Sequence, residues 1–158
     1  MSRSGADLAL LLLAGFRAFA DRGTEELAAR GFEDVRPAHD FALRAIAAGA
    51  DTPSELARRL SVTRQAAAKT IATLEERRYV ERAPDPRDGR RLRLTITDRG
   101  AELMSTGEAV FAELRVQWED QVGVGRIAEV EEAVRALVGD ATISIDSPDW
   151  STAEIESS

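Results

Sequence analysis

Apolar positions return at spacings of three and four through most of this chain and at a spacing of two in one short stretch. The pattern describes helices interrupted by a single strand pair. Leu8, Leu12, Phe16 and Phe19 set out a first helix over residues 6–29. Leu10, Leu11 and Leu13 widen its stripe beyond what one core contact requires, which predicts a second apolar surface such as another subunit. Gly31 ends that segment, and Pro37 opens the next helix, where its missing amide hydrogen costs nothing. Phe41, Leu43, Ile46 and Ala47 are the apolar positions of this second helix, and Gly49 closes it.

Thr52-Pro53-Ser54-Glu55 is a helix start, with a capping hydroxyl, a proline at the first helical position and an acid in the first turn. Leu56, Ala57 and Leu60 face inward, Ser61 and Val62 make a turn, and Thr63 caps the following helix, expected over residues 64–77. At about 100° per residue, Ala67, Ile71 and Leu74 share one side of that helix. Gln65, Ala68, Lys69 and Ala72 share the other, with Arg64 at the border. One face is therefore core, and the other alternates hydrogen-bonding side chains with alanines small enough to let a backbone sink into a groove. Leu92, Leu94 and Ile96 alternate with Arg91, Arg93 and Thr95, marking a strand with one buried face whose partner is residues 79–83. Between the strands, residues 84–90 are dense in turn formers, so the pair is a hairpin with a basic tip. Thr97 and Asp98 start a long helix with Leu103, Val110, Phe111, Leu114, Trp118 and Val122 as its stripe. Gly123 and Gly125 break it, and Ile127, Val130, Val134, Leu137 and Val138 mark a last helix. Residues 140–158 are rich in Ser, Asp and Glu and are expected to be extended, pinned if anywhere by Trp150.

Charge changes this picture. From Thr52 to Arg93 there are eleven Lys and Arg against six Asp and Glu, a net +5 in a chain of net −7, so the remainder carries −12. Such a split serves a protein whose one face meets a polyanion while the rest keeps it soluble. With no cysteine there is no disulfide, thiolate metal site or thiol sensor, and a single histidine excludes a multi-histidine metal site within one subunit. No metal and no cofactor is expected. The apolar run Leu8–Phe16 mimics a signal peptide but is too short to span a membrane. Asp7 and Arg17 at its ends argue against export, so it reads as a buried helix of a cytoplasmic protein. The length of 158 residues fits one compact domain, or a small binding domain with arms that serve a partner subunit.

Helix, turn, helix and hairpin in this order resemble the multiple-antibiotic-resistance regulator (MarR) family of bacterial transcription factors. The residues that carry the resemblance are Glu55-Leu56-Ala57, Leu60, Val62-Thr63, Leu74-Glu75, Tyr79-Val80-Glu81-Arg82, Asp85-Pro86, Asp88, Arg90, Leu94-Thr95-Ile96-Thr97 and Gly100. It implies a mainly α fold with a small hairpin wing, one domain over residues 1–158, and a winged helix-turn-helix lobe over 37–97. It also implies a homodimer built from helices 6–30 and 98–139, with 140–158 as a polar tail. The implied function is a sequence-specific regulator of transcription, by family default a repressor released by a small effector. Arg78 departs from the pattern, because the family usually has glycine there. A left-handed cap without glycine is unfavourable by roughly 1 kcal/mol, so either the turn is reshaped or the arginine is kept for a phosphate.

Within that motif Gln65 and Lys69 are the candidates for base edges in the major groove, with Ala68 between them allowing close approach. Thr63, Arg64 and Arg78 are candidates for phosphates. Arg90 is the candidate for the minor groove, aimed by a turn that Asp88 or Gly89 shapes, with Arg87 and Arg91 flanking the backbone. The alternatives are an ordinary solvated helix face and a solvated basic loop. For an effector the resemblance points to the region between dimer arms and DNA-binding lobes, giving His39, Phe41, Phe16 and Phe111, although a lone histidine near a helix start is more often structural and the aromatics fit core or dimer contacts better. Two other classes compete: a winged-helix protein-interaction module or corepressor, which the pI near 4.9 favours, and an enzyme using His39 with Asp40. Neighbours on a helix do not face each other, and no nucleophile motif, metal cluster or phosphate loop accompanies that pair.

Overall fold

The computed structural model describes residues 4–139. Their order is α1 Gly5–Ala29, α2 Pro37–Ala47, α3 Pro53–Leu60, α4 Arg64–Glu76, β1 Val80–Pro84, β2 Leu92–Ile96, α5 Asp98–Val122 and α6 Arg126–Val138. This is the mainly helical fold with one hairpin that the spacing predicts. The tail expected over residues 140–158 lies outside the described residues. Two compact units share the chain, one combining residues up to 37 with 106–134, the other running from 38 to 105 and resuming at 135.

The second unit holds the helix-turn-helix. The Thr52 hydroxyl accepts the Glu55 amide at 3.2 Å and Pro53 occupies the first turn, so α3 starts where the sequence indicates. Ser61 ends it in a left-handed conformation, with the Val62 amide reaching back to the Ala57 carbonyl at 3.0 Å. Thr63 then caps α4 through the Ala66 amide at 3.0 Å. Leu56, Ile71 and Leu74 are fully buried, each contributing about 1.5–3 kcal/mol by leaving water. The end of α4 keeps the left-handed turn at Arg78, φ +61°, rather than reshaping it. The Arg78 amide bonds the Glu75 carbonyl and the Tyr79 amide bonds the Leu74 carbonyl, both at 2.9 Å, which is the hydrogen-bond pattern of a Schellman cap with arginine in the glycine place.

From that corner the chain enters an antiparallel pair in which Val80 faces Ile96 and Pro84 faces Leu92. The predicted buried face of β2 is realised only at its inner end. Leu94 is buried and Ile96 half-buried, but Leu92 is 56% exposed because it stands where the hairpin leaves the lobe. The Leu94 amide also bonds the Asp51 carbonyl at 2.8 Å, tying the strand to the segment that starts α3. Thr97 closes the corner. Its amide reaches the Tyr79 carbonyl at 3.1 Å, its hydroxyl donates to the carbonyls of Arg78 and Tyr79 at 2.6 and 3.1 Å, and the same oxygen accepts the Gly100 amide at 3.0 Å. Gly100 is required by space, since a Cβ there would overlap the Tyr79 carbonyl oxygen.

In the first unit, Ser4 and Asp7 form a reciprocal capping box at the start of α1, so Asp7 serves the helix start. The expectation of a buried helix over Leu8–Phe16 is corrected. Leu8, Leu10, Leu11, Leu12 and Leu13 are 40–65% exposed, because the stripe has no cover within one chain. The stripes of α5 and α6 divide likewise: Leu103, Val110, Leu114 and Ile127 are buried, whereas Trp118, Val122, Val130, Val134, Leu137 and Val138 are exposed. No helix among the described residues is long and apolar enough to cross a membrane. Phe19 packs against Phe111 at 5.4 Å and Trp118 at 6.3 Å between ring centres, and Gly23 makes room for the Phe111 ring. Glu113 pairs with Arg30, and Arg115 on α5 holds Glu131 on α6 at 2.9 Å. In both, the hydrogen bond to the carboxylate raises the guanidinium pKa further.

The two glycines inside α5 should respond oppositely to alanine. Gly100→Ala is expected to lower stability by about 1–3 kcal/mol through overpacking. Gly107→Ala, where a Cβ meets no atom within 4 Å, should raise it by about 0.5–1 kcal/mol through helix propensity. Urea unfolding midpoints check both, and an unaffected Gly100→Ala would show that the corner is not sterically closed.

Candidate nucleic-acid interface

Two segments of the second unit carry the candidate site. On α4 the core face takes Ala67, Ile71 and Leu74, all fully buried, which leaves Arg64, Gln65, Ala68, Lys69 and Ala72 exposed on the other face. The helix therefore presents the two polar candidates with an alanine beside each. Thr63, also exposed, uses its hydroxyl oxygen as an acceptor for the cap, and its hydroxyl hydrogen stays available for a phosphate. Arg78 is exposed immediately after the helix, its backbone held by the corner described above.

The wing tip is built by two aspartates. Asp85 Oδ1 accepts the Arg87 amide at 2.9 Å and Asp88 Oδ1 accepts the Arg90 amide at 3.1 Å. Backbone bonds from Asp85 to the Arg91 carbonyl (2.8 Å), Asp88 to the Asp85 carbonyl (3.2 Å) and Arg91 to the Asp88 carbonyl (2.9 Å) close the loop. Between the two predicted shapers of the turn, the carboxylate of Asp88 does the shaping. Gly89 is not among the positive-φ residues, so its conformation does not demand glycine. Sequence reading missed the matching role of Asp85, although the repeat Asp-Pro-Arg followed by Asp-Gly-Arg was its signal. It also missed the brace between Arg82 Nε and Glu75 Oε1, 2.7 Å, which links β1 to the last turn of α4.

Ion pairing leaves these cations open. Arg64, Lys69, Arg78, Arg87, Arg90 and Arg91 are exposed, and none is in an ion pair among the described residues. Arg30, Arg44, Arg58, Arg82 and Arg115 each hold a carboxylate at 2.5–2.9 Å. Six uncompensated cations on one helix face, one turn and one hairpin tip form a surface suited to phosphate oxygens.

The effector candidates are not gathered within one unit. Phe16 and Phe111 belong to the first, His39 and Phe41 to the second, where both are half-buried on α2. Asp40 accepts from Arg44 Nε at 2.7 Å, a neighbour one helical turn away. No group of three or more metal-ligating side chains occurs among the described residues.

Residues 34–91 match the model of the MarR family. An uncharacterised helix-turn-helix-type transcriptional regulator of Mycobacterium bovis is 41% identical over 56 residues, 35% of this chain and 39% of that protein. The match thus spans well under half of the relative's length. Among solved structures, the reduced form of MarR from E. coli covers 88% of this chain and 99% of its own at 21% identity, TM-score 0.69. S. aureus MepR is similar in two states. An F27L mutant bound to an oligodeoxyribonucleotide has 18% identity, covers 87% of this chain and 97% of its own, and gives a TM-score of 0.59. MepR bound to ethidium bromide has 17% identity, covers 86% and 95%, and gives 0.57. At these identities the structures show the fold alone. The similarity to the MarR family thus covers residues 34–91, which hold the helix-turn-helix, the first wing strand and the wing tip.

Proposed function

We propose that the chain is a transcriptional regulator that binds double-stranded operator DNA as a homodimer. Gln65 and Lys69 of α4 read base edges in the major groove, with Ala68 allowing close approach. Thr63, Arg64, Arg78, Arg87 and Arg91 hold phosphates, and Arg90, aimed by Asp88, enters the minor groove. The observation that carries this reading is the set of six exposed cations without carboxylate partners, gathered on one helix face, one turn and one hairpin tip. The similar fold of a regulator bound to an oligodeoxyribonucleotide supports it. Two-fold pairing would place two α4 helices in successive major grooves, about 34 Å apart. The uncovered leucines of α1 and the exposed apolar residues of α5 and α6 are the material for that pairing. As repressor, the protein is released when a small effector binds one arrangement of the dimer better than the other. The ethidium-bound relative supports an aromatic compound, with Phe16, His39, Phe41 and Phe111 as candidate contacts. Such a regulator works in the cytoplasm, where the chromosome is.

Three outcomes are expected. Arg90→Ala weakens duplex binding and flattens the slope of log affinity against log salt by about 0.9, the loss of one phosphate-like contact; a gel-shift titration with unchanged affinity and slope removes the wing from the mechanism. Arg78→Gly raises unfolding free energy by roughly 1 kcal/mol by relieving the left-handed backbone, yet lowers DNA affinity; a variant that is more stable and binds as well assigns Arg78 no phosphate. Leu10→Glu, at a position 65% exposed in one chain, turns a dimer into a monomer in light scattering after size exclusion. A wild-type protein that is already monomeric, or that shows no salt-sensitive duplex binding at low ionic strength, supports instead a winged-helix module that binds protein.

A further inference from the structure

One cation of the helix-turn-helix is treated differently from its neighbours. Arg58 on α3 gives its Nη2 to Glu55 Oε2 at 2.7 Å, whereas Arg64, Lys69 and Arg78 have no carboxylate. Glu55 is fixed in the first turn of α3 by the Thr52 cap on its amide. The bond from the Leu94 amide to the Asp51 carbonyl, 2.8 Å, brings the strand that follows Arg91 to the start of the same helix. Arg59, next along α3, leans its Nη1 on the Ala48 carbonyl at 3.4 Å. The hydrogen bond from Arg58 holds the Glu55 carboxyl below its ordinary pKa, helped by the Arg58 charge and, more weakly, by those of Arg59 and Arg91, while burial acts in the opposite direction. Glu55 is thus a carboxylate set among cations at the foot of the wing.

An exposed pair of this kind adds little to folding stability. Its effect on a polyanionic partner is larger, since a phosphate approaching Arg58 must displace a carboxylate and meets a like charge. We infer that Glu55 restrains backbone attachment: by occupying Arg58 it lowers the protein's sequence-independent affinity for DNA. The inference rests on the DNA-binding reading above. Repulsion near the site acts equally on every sequence, so it lowers affinity for any duplex, while discrimination between sequences stays with base contacts.

The test is a salt titration with a duplex of random sequence, which needs no knowledge of the operator. Glu55→Gln keeps the size and the cap but removes the charge. It is expected to bind the random duplex roughly eightfold more tightly at 0.1 M salt for each phosphate gained, with the salt slope steeper by about 0.9. Glu55→Asp should behave as wild type, Arg58→Ala alone should change little, and Glu55→Gln with Arg58→Ala should give back most of the gain. Circular dichroism confirms that α3 is intact in each. Wild-type binding with Glu55→Gln unchanged in affinity and slope overturns the inference, as does Arg58→Ala weakening the wild-type protein, because Arg58 would then already be on phosphate. Wild-type protein that fails to bind any duplex at low salt overturns the DNA-binding reading itself, a result distinct from the other two.

Discussion

A single threonine hydroxyl holds α4 and the wing in register. Thr97 joins the carbonyls of Arg78 and Tyr79, where α4 has just ended and β1 is about to begin, to the first turn of α5. Three elements of different direction meet at two peptide groups, and each of those groups is satisfied by this contact. The approach is close enough that only glycine fits at position 100. Without the corner, α4 and the wing would be tethered by chain alone, and any partner gripped by both would meet the entropy of an unfixed hinge. With it, side chains on α4 and on the hairpin tip are presented as one rigid surface.

The cations of that surface are left uncompensated. In an acidic protein there is no shortage of carboxylates, and elsewhere they are placed beside arginines at hydrogen-bond distance. On the wing tip the two nearest acids, Asp85 and Asp88, are instead turned onto backbone amides, where they shape the loop and leave the arginine heads outside. The same residue type therefore supplies geometry in one place and neutralisation in another. What separates the two uses is local: an aspartate two residues before an amide in a tight turn reaches that amide more readily than a guanidinium on a long, flexible stem.

Much of this was legible in the residues. Thr52, Pro53 and Thr63 mark their helix starts because capping depends on neighbours three residues away, and the split of α4 into an alanine-rich polar face and an apolar one follows from the helical period alone. The hairpin could be read from alternation and turn formers. What could not be read was the extent of burial. Leu92 belongs to the same alternating set as Leu94 yet is exposed, and the leucines of α1 look like core but have no cover in one chain. Periodicity reports which residues share a face and says nothing about what that face meets. The partners of charged side chains were equally hidden, since Glu75 with Arg82 and Glu113 with Arg30 are distant in sequence.

The sequence by itself determined the helical segments, the hairpin, the position of the basic island and the residue types at its centre, because these depend on interactions within a few residues along the chain. Only the tertiary structure decided that Arg78 would keep a left-handed turn without glycine, that Thr97 would lock it, and that Arg30 would be claimed by Glu113. Each of those outcomes is settled by which backbone and side-chain groups are brought within about 3 Å of one another, a distance that the local pattern of residues does not encode.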